Sequence, residues 1–497
     1  MSASEQGAAS PAQGRHGLHE LIAERRAKAE RLKRADAEAF PYTFPDAEPI
    51  ARILEDYAHL EVGEETEDAH RVAGRLAARR GGGGAAFLDL VDRSGRIQLH
   101  ARLDVLGEEA FQRLTTLDLG DLLGVDGAAM RSRKGELSLR VDSFRVLAKA
   151  LRPPPDKHAG LSDVELRHRR RELDLIASER VRKLFVDRAK IISAVRAYLD
   201  GEGFVEVETP VLQPLYGGAL ARPFTTHHHA LERTLYLRIA TELYLKRLLV
   251  GGLEKVYELG KDFRNEGVSA KHNPEFTMVE FYEAYADYEE EAVRLEELVR
   301  AAAEAVSYSG EIEFSNRWRR VTFGEAIAQA TGIDVFAARE AKTLARVIAE
   351  RQLEVPTEHA SWAQMAEALL SKFVEPGLVE PTFVLDFPLE LSPFAREHRS
   401  KPGLVERWEA FVGGLEIANA FSELNDADAQ RQRFEAQREA AERGELEAQP
   451  FDELFLEALE QGMPPAGGVG VGIDRLVMVL TGADSIRDVV LFPAMRD

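Results

Sequence analysis

Unlike charges crowd into one short stretch of this chain. From Phe263 to Tyr285 it reads FRNEGVSAKHNPEFTMVEFYEAY. Arg264, Lys271 and His272 stand there with Glu266, Glu275, Glu280 and Glu283, and a flat aromatic, Phe276, sits among them. Phe276, Met278, Glu280 and Tyr282 share one parity; Thr277, Val279 and Phe281 share the other. That alternation predicts strand, polar loop, strand, with charged side chains carried on a rigid sheet. A hairpin with a purely structural role has little use for so many opposed charges at its ends.

A second stretch, Glu409 to Glu423, reads EAFVGGLEIANAFSE. Gly413-Gly414 between alternating runs is a two-residue hairpin signal. It sets Val412 opposite Leu415 and Phe411 opposite Glu416. Glu409 then lies on the same face as Glu416, one diagonal step away, within ~7–8 Å. Two carboxylates so placed can share a hard cation. Asn419, Phe421 and Glu423 continue one face of the same strand. A third stretch, Gly468-Val-Gly-Val-Gly-Ile-Asp-Arg475, puts glycines where a strand must let a ligand or helix approach closely. By itself G-x-G-x-G is weak evidence, because a dinucleotide fingerprint looks alike and Asp488 even lies about 20 residues on. The chain ends at Asp497, however, and leaves no room for the rest of such a sheet. No G-x-x-x-x-G-K-[ST] loop is present, so a nucleotide is not held in the common NTPase way.

The elements that must position these groups follow from pattern. Residues 1–64 read as a disordered start, 1–16, and a helix over 18–39 whose middle is basic (Arg25, Arg26, Lys28, Arg31, Lys33, Arg34). This helix is a solvated face or an RNA-backbone arm. Residues 65–150 read as all-β: short alternating runs at 71–76, 86–91, 96–101, 121–128 and 136–146, separated by turns, predict a small barrel. Residues 151–180 read as a linker, stiff at Pro153-Pro-Pro155 and basic at Arg167, Arg169, Arg170 and Arg171. Residues 181–497 form the second domain. An amphipathic helix is expected over 183–199, a strand over 203–211 ended by Pro210, and a helix over 235–252 with Glu242 early in it. Residues 337–374 read as helical packing, and 430–447 as a charged, solvent-facing helix. His227, His228 and His229 read as a polar loop rather than a metal site.

FRNEG…HNPEFTM resembles motif two of the class II aminoacyl-tRNA synthetases, in the wording of their lysine-specific branch. Gly203-Phe-Val-Glu-Val-Glu-Thr-Pro210 resembles their motif one, and Gly468–Arg475 their motif three. The resemblance covers the chain from about residue 65 onward. It implies an α+β fold: an OB-fold barrel for the anticodon, then an antiparallel sheet flanked by helices. It implies lysine and ATP reacting to lysyl-adenylate, then transfer to the tRNA 3′ end. Carried over residue by residue, Arg264 and Arg475 position the reacting groups. Arg264, Glu266, His272, Asn273, Phe276, Glu416, Gly472 and Arg475 bind ATP, with Phe276 and Arg475 on opposite faces of adenine. Gly218, Glu242, Arg264, Glu280, Tyr282, Asn419, Phe421 and Glu423 bind lysine. There Glu242 meets the α-amino group and Glu423 the ε-ammonium, which needs a fixed, desolvated carboxylate. Glu409 and Glu416 hold Mg2+. Phe87, Gln98 and Glu136 face the anticodon, by stacking and by reading base edges. One departure is Gly84, at the end of the run Gly81–Gly84, where the family commonly has a lysine.

Partners so implied are tRNA(Lys), lysine, ATP and, through motif one, a second copy of the chain. The net charge of −21 opposes a nucleic-acid partner taken alone; the local basic runs answer it. No run of 18 apolar residues predicts a membrane span, and residues 1–17 show no apolar h-region, so no secretory signal is expected. The absence of cysteine excludes disulfides and thiol nucleophiles and suits the cytoplasm. A protein-modifying ligase of the same catalytic fold would lack the barrel. A non-catalytic paralogue would be expected to lose Arg264, Arg475 or the carboxylate pair. An aspartate or asparagine enzyme would need another pocket at Glu280 and Glu423.

Overall fold

In the computed structural model the described residues are 11–35, 40–155, 161–442 and 449–495. The chain divides into two compact units, Met1–Arg182 and Lys183–Asp497.

In the first unit five strands close a barrel: β1 (Glu65–Gly82), β2 (Ala85–Val91), β3 (Arg96–Arg102), β4 (Leu122–Arg131) and β5 (Leu137–Ala148), in the order β1-β2-β3-β5-β4. Only β3 and β5 pair in parallel. Alternation sends Val72, Leu76, Leu88, Leu90, Leu99, Leu123, Val125 and Val141 inside, all fully enclosed. The glycine run makes a tight turn rather than a loose loop. Gly82 pairs with Ala85, and Gly81 and Gly83 take φ of 107° and 70°, which favour glycine. The basic helix spans Pro11–Ala35, so part of the expected disordered start is helical, while residues 1–10 and 36–39 lie outside the described residues. It is not wholly a solvated face: Arg25 is buried and donates to the carbonyls of Leu119 and Ala150, and Lys28 pairs with Asp118 at 2.8 Å. The linker is also more ordered than a stiff spacer. Asp163 caps a helix, Val164–Arg169, followed by another, Arg171–Ala177. Arg167 and Arg171 both pair with Asp174; residues 156–160 lie outside the described part.

The second unit adds β6 (Val205–Glu206), β7 (Leu212–Gln213), β8 (Thr225–His228), β9 (Arg233–Leu237), β10 (Lys255–Phe263), β11 (Glu275–Ala284), β12 (Arg319–Thr322), β13 (Thr382–Leu385), β14 (Arg407–Val412), β15 (Leu415–Ser422) and β16 (Ala466–Gly472). Eight of them form one sheet, β12-β13-β14-β15-β16-β11-β10-β6. Its interior is antiparallel, and the two edge pairs, β12/β13 and β10/β6, are parallel. The sheet is therefore mixed at its rims. Helices Glu179–Gly201 and Tyr288–Ala305 carry apolar faces onto it; a capping box at Asp287 starts the second. Val279 and Phe281 of β11 sit in that core, which leaves Met278, Glu280 and Tyr282 to the opposite face.

Three expectations shift here. Only Val205–Glu206 of the predicted strand over 203–211 is a strand. Residues 235–237 belong to β9, and the helix starts at Glu242, after Thr241. The three histidines lie in β8 and the turn after it, exposed, and no group of three or more His, Asp or Glu placed to hold a metal forms among the described residues. Helices Phe323–Thr331, Ala341–Glu350 and Trp362–Leu369 build a second core around Phe323, Trp362 and Phe411. The charged helix spans Ala427–Glu442, and residues 443–448 lie outside the described part. No described helix is long and apolar enough to cross a membrane.

Candidate active site

The free face of the large sheet carries a cavity of about 350 Å3. At one end the β10–β11 hairpin places its loop. Phe263 pairs with Glu275, and the Arg264 amide donates to the Pro274 carbonyl, which closes the loop's base. The Arg264 guanidinium then lies 5.1 Å from the centre of the Phe276 ring. Ser269 Oγ meets His272 Nδ1 at 2.9 Å, and His272 Nε2 lies 3.2 Å from Arg475 Nη2. Burial and the Arg475 charge lower the His272 pKa, so the ring is neutral and its Nε2 accepts from the guanidinium. Arg475 stands in the first turn of the helix that begins at Ile473, and its Nη1 donates to Glu416 Oε2 at 3.0 Å. Asn273 Nδ2 donates to the Glu275 carbonyl, and its Oδ1 accepts from the Ala494 amide. Glu266 and Gly472 complete this end of the wall.

The other end is acidic. Glu242, Glu280, Tyr282, Asn419 and Phe421 line it together with Gly218. Gly218 has φ of 91°, and a Cβ there would come within 2.9 Å of Glu242 Cβ. Gln449 holds that turn by accepting from the Gly218 amide at 3.2 Å. Glu280 Oε1 accepts from the Thr241 amide at 3.2 Å, and Tyr282 donates to Oε2 at 3.4 Å. Burial, then the Asp262 and Glu242 charges, raises Glu280 to about 8. Glu423 sits one layer back: it is 1 % exposed and does not line the cavity. Gly468, which does line it, stands between, for a Cβ there would strike Glu423 Oε1 and the Tyr282 ring. The Glu423 carboxylate pairs instead with Lys246, a wholly buried lysine that also meets Glu242 Oε1 at 2.5 Å.

The hairpin at Gly413-Gly414 forms with Phe411 opposite Glu416, as its sequence predicts. Beyond that pair a bulge shifts the register and sets Asn419 opposite Glu409. Glu409 does not line the cavity. Burial, only partly offset by Arg407 and reinforced by the Glu416 charge, raises its carboxyl to about 8. Arg407 Nη2 donates to Glu409 Oε1 at 2.5 Å and its Nε to Asn419 Oδ1 at 2.9 Å. Each carboxylate of the pair therefore has its own arginine, Arg407 or Arg475.

On the barrel, Phe87 is half-buried and stacks on His100, with ring centres 4.7 Å apart and planes within 2°. It is not part of the barrel's apolar core. Gln98 Nε2 donates to Glu136 Oε2 at 2.9 Å, and its Oε1 accepts from Ser138 at 3.1 Å. By register Phe87 and Gln98 lie on one face of β2 and β3, outside the apolar interior, with Gln98 and Glu136 already paired to each other.

Lys246, Arg407, Gln449 and His100 escape a reading of the sequence. Lys246 stands four residues after Glu242, a helical ion-pair spacing that would have disclosed it. Arg407 stands two before Glu409, on one strand face. Gln449 and His100 carry no such local signal.

Residues 163–496 match a family model described as tRNA synthetases class II (D, K and N), and residues 70–147 one described as an OB-fold nucleic acid binding domain. The lysine--tRNA ligase of Carboxydothermus hydrogenoformans is 47% identical over 487 residues, covering 96% of this chain and 98% of that one. That of Prochlorococcus marinus (strain MIT 9303) is 49% identical over 495 residues, covering 96% and 97%. That of Moorella thermoacetica is 48% identical over 485 residues, covering 96% and 98%.

Proposed function

Since the chain belongs to the class II tRNA synthetases of the D, K and N group, we propose that the acidic cavity is the site at which it activates lysine for tRNA. It is an ATP-dependent lysine--tRNA ligase: it joins lysine to AMP with loss of pyrophosphate and transfers the lysyl group to tRNA. The OB-fold barrel is its tRNA-binding, anticodon-facing domain. The observation that carries the substrate is the acidic end: buried Glu242 and Glu280 line the cavity where a cationic side chain would lie, and buried Glu423 stands one layer behind them with Lys246. In water such charges would gain little; buried, they select strongly for an opposite charge.

In this reading the lysine carboxylate attacks the α-phosphorus in line, and pyrophosphate leaves. No side chain becomes covalently attached. Arg264 neutralises the carboxylate and α-phosphate, while Arg475 meets the far phosphates and one face of adenine, with Phe276 on the other. Tyr282, Asn419 and Phe421 enclose the lysine side chain, and Gly218 admits its α-amino end beside Glu242. Glu266, His272, Asn273 and Gly472 complete the nucleotide wall. Glu409 and Glu416 fit a divalent cation. They are hard oxygen donors within each other's field, and Mg2+ typically takes one or two carboxylates beside phosphate oxygens. Bound there, Mg2+ would neutralise phosphate charge.

On the barrel, Phe87 stacks a splayed base, while Gln98 and Glu136 exchange their mutual hydrogen bond for base edges. The enzyme acts in the cytoplasm as a homodimer through its motif-one segment. Support for the dimer is the open edge at β6 with Val205, Val211 and Leu212 each more than 40% exposed. Domain limits near 64, 150 and 180 accompany this reading. The deciding experiment is amino-acid-dependent ATP–pyrophosphate exchange across all the standard amino acids. Lysine alone should support it at high efficiency. Exchange with aspartate or asparagine, or none with lysine, would overturn the assignment.

A further inference from the structure

Lys246 is the one cation among the described residues that reaches both Glu242 and Glu423. It is 0% exposed and stands in the helix Glu242–Val250, four residues after Glu242. Its Nζ lies 2.5 Å from Glu242 Oε1 and also contacts Glu423 Oε2. The Phe394 and Phe421 rings flank it, with their centres 5.1 and 5.2 Å away. Two carboxylates and two aromatic faces make a full coordination shell for an ammonium. This shell belongs to the protein, and it shares Glu242 and Phe421 with the cavity wall.

The charges near this end are distributed over every element packed against it. Glu242 shares the helix with Lys246. Glu423 follows β15, and Glu280 and Tyr282 come from β11. Asp262 of β10 acts on Glu280, Arg407 of β14 on Glu242, and Glu291 of the helix Tyr288–Ala305 on Glu423. Of these, Asp262 has the Arg238 guanidinium 3.1 Å away, and Arg407 serves Glu409 and Asn419. Glu291 is wholly buried with both oxygens unbonded among the described residues, a setting that keeps it protonated and uncharged. What remains is three carboxylates and one ammonium: without a ligand burial leaves Glu280 largely protonated near pH 7, and with all three ionised around a bound cation the excess is two negative charges. A lysine molecule brings two ammonium groups, and its carboxylate is taken by Arg264.

We propose that Lys246 is a positioning residue and internal counter-ion. It clamps Glu242 and Glu423 together and sets the pocket's charge, so that a ligand with two ammonium groups is the one that neutralises it. The inference rests on the lysine reading of this cavity. Without Lys246 the same three carboxylates carry one more negative charge in the same buried space. Glu242 or Glu423 then takes a proton as well, instead of staying ready for the ligand. Burial opposes the Lys246 ammonium, but the charges of Glu242 and Glu423 outweigh it and hold its pKa above the ordinary lysine range.

The test uses the full-length enzyme with Lys246→Met, and with Lys246→Gln as a milder variant that still offers an amide N–H. Lysine-dependent pyrophosphate exchange is followed from pH 6 to 9, with KM for lysine and for ATP measured separately. For Lys246→Met, kcat/KM for lysine should fall roughly 100-fold at pH 7, in line with removal of one partner of a buried pair. Its acidic limb should move up by about one pH unit or more, so that part of the loss returns at high pH. KM for ATP should stay within about threefold of the parent's, and Lys246→Gln should fall between, since one hydrogen bond survives. A loss that is equal at every pH, or that raises KM for ATP in step, would mean a merely structural lysine and overturn the proposal. So would a Lys246→Gln enzyme with an unchanged profile, the deciding result should the Met variant fail to fold. If the parent enzyme itself shows no lysine-dependent exchange, the lysine reading fails first; if the parent is active and the variants match it, only the role of Lys246 fails.

Discussion

The barrel face and the acidic end of the cavity use similar residues to opposite effect. On the barrel, Gln98 and Glu136 satisfy each other, and Phe87 rests on His100. Bases can replace such contacts at small net cost, because each exchange trades one hydrogen bond for another. At and just behind the cavity's acidic wall, Glu242, Glu280 and Glu423 are buried with a single lysine among them. Charges held there cannot trade partners with water, so a missing opposite charge is felt in full. On the proposed reading, recognition by exchange of hydrogen-bond partners and recognition by buried charge should therefore fail differently when mutated.

The largest effect is expected from Glu423→Gln, which keeps the shape and removes a charge shared with Lys246. Breaking a buried pair costs ~3–5 kcal/mol. Lysine-dependent exchange should drop by at least about two orders of magnitude on that basis, while ATP affinity, measured separately, persists. Near-normal lysine KM and kcat would remove the distinction between the two regions.

Phe87→Ala should cost about one stacked base, ~1–3 kcal/mol in tRNA use, and spare adenylate formation. Equal losses in exchange and aminoacylation would mean that Phe87 only supports the barrel. Between the two regions in kind lies the carboxylate pair. Glu409→Ala and Glu416→Ala should each raise the Mg2+ requirement, with a non-additive double variant, if both hold one ion. Unchanged Mg2+ titrations would leave them as partners of Arg407 and Arg475 alone.

A smaller effect concerns stability. Glu280 and Glu409 are raised from 4.5 to about 8 by burial first of all. The folded protein thus binds more protons than the unfolded chain between those pH values, and stability falls as pH rises through that window. Saturating lysine should flatten the fall, since its ammonium favours ionised Glu280. Melting curves from pH 5 to 8, with and without lysine, check this.

How much was legible in the sequence follows the same division. Strand alternation exposed all five barrel strands and the β10–β11 hairpin, because local periodicity reports which face is buried. Parity also put Glu280 and Tyr282 on one wall. The bulge after Phe411 was hidden, since nothing local distinguishes Ala418 from Asn419 as the partner of Glu409. The parallel rims of the sheet were hidden too, because distant segments such as β12 and β13 decide them. Lys246 was only half hidden: its spacing from Glu242 marks an ion pair, but a lysine in a helix reads as solvated until burial shows that it is not.

Exchange and aminoacylation, measured side by side on Glu423→Gln and Phe87→Ala, test the division most directly. Glu423→Gln should lose lysine-dependent exchange and charging together. Phe87→Ala should keep exchange and lose charging. If both variants lose the two activities in equal proportion, or if Glu423→Gln retains exchange, buried charge does not select the amino acid here.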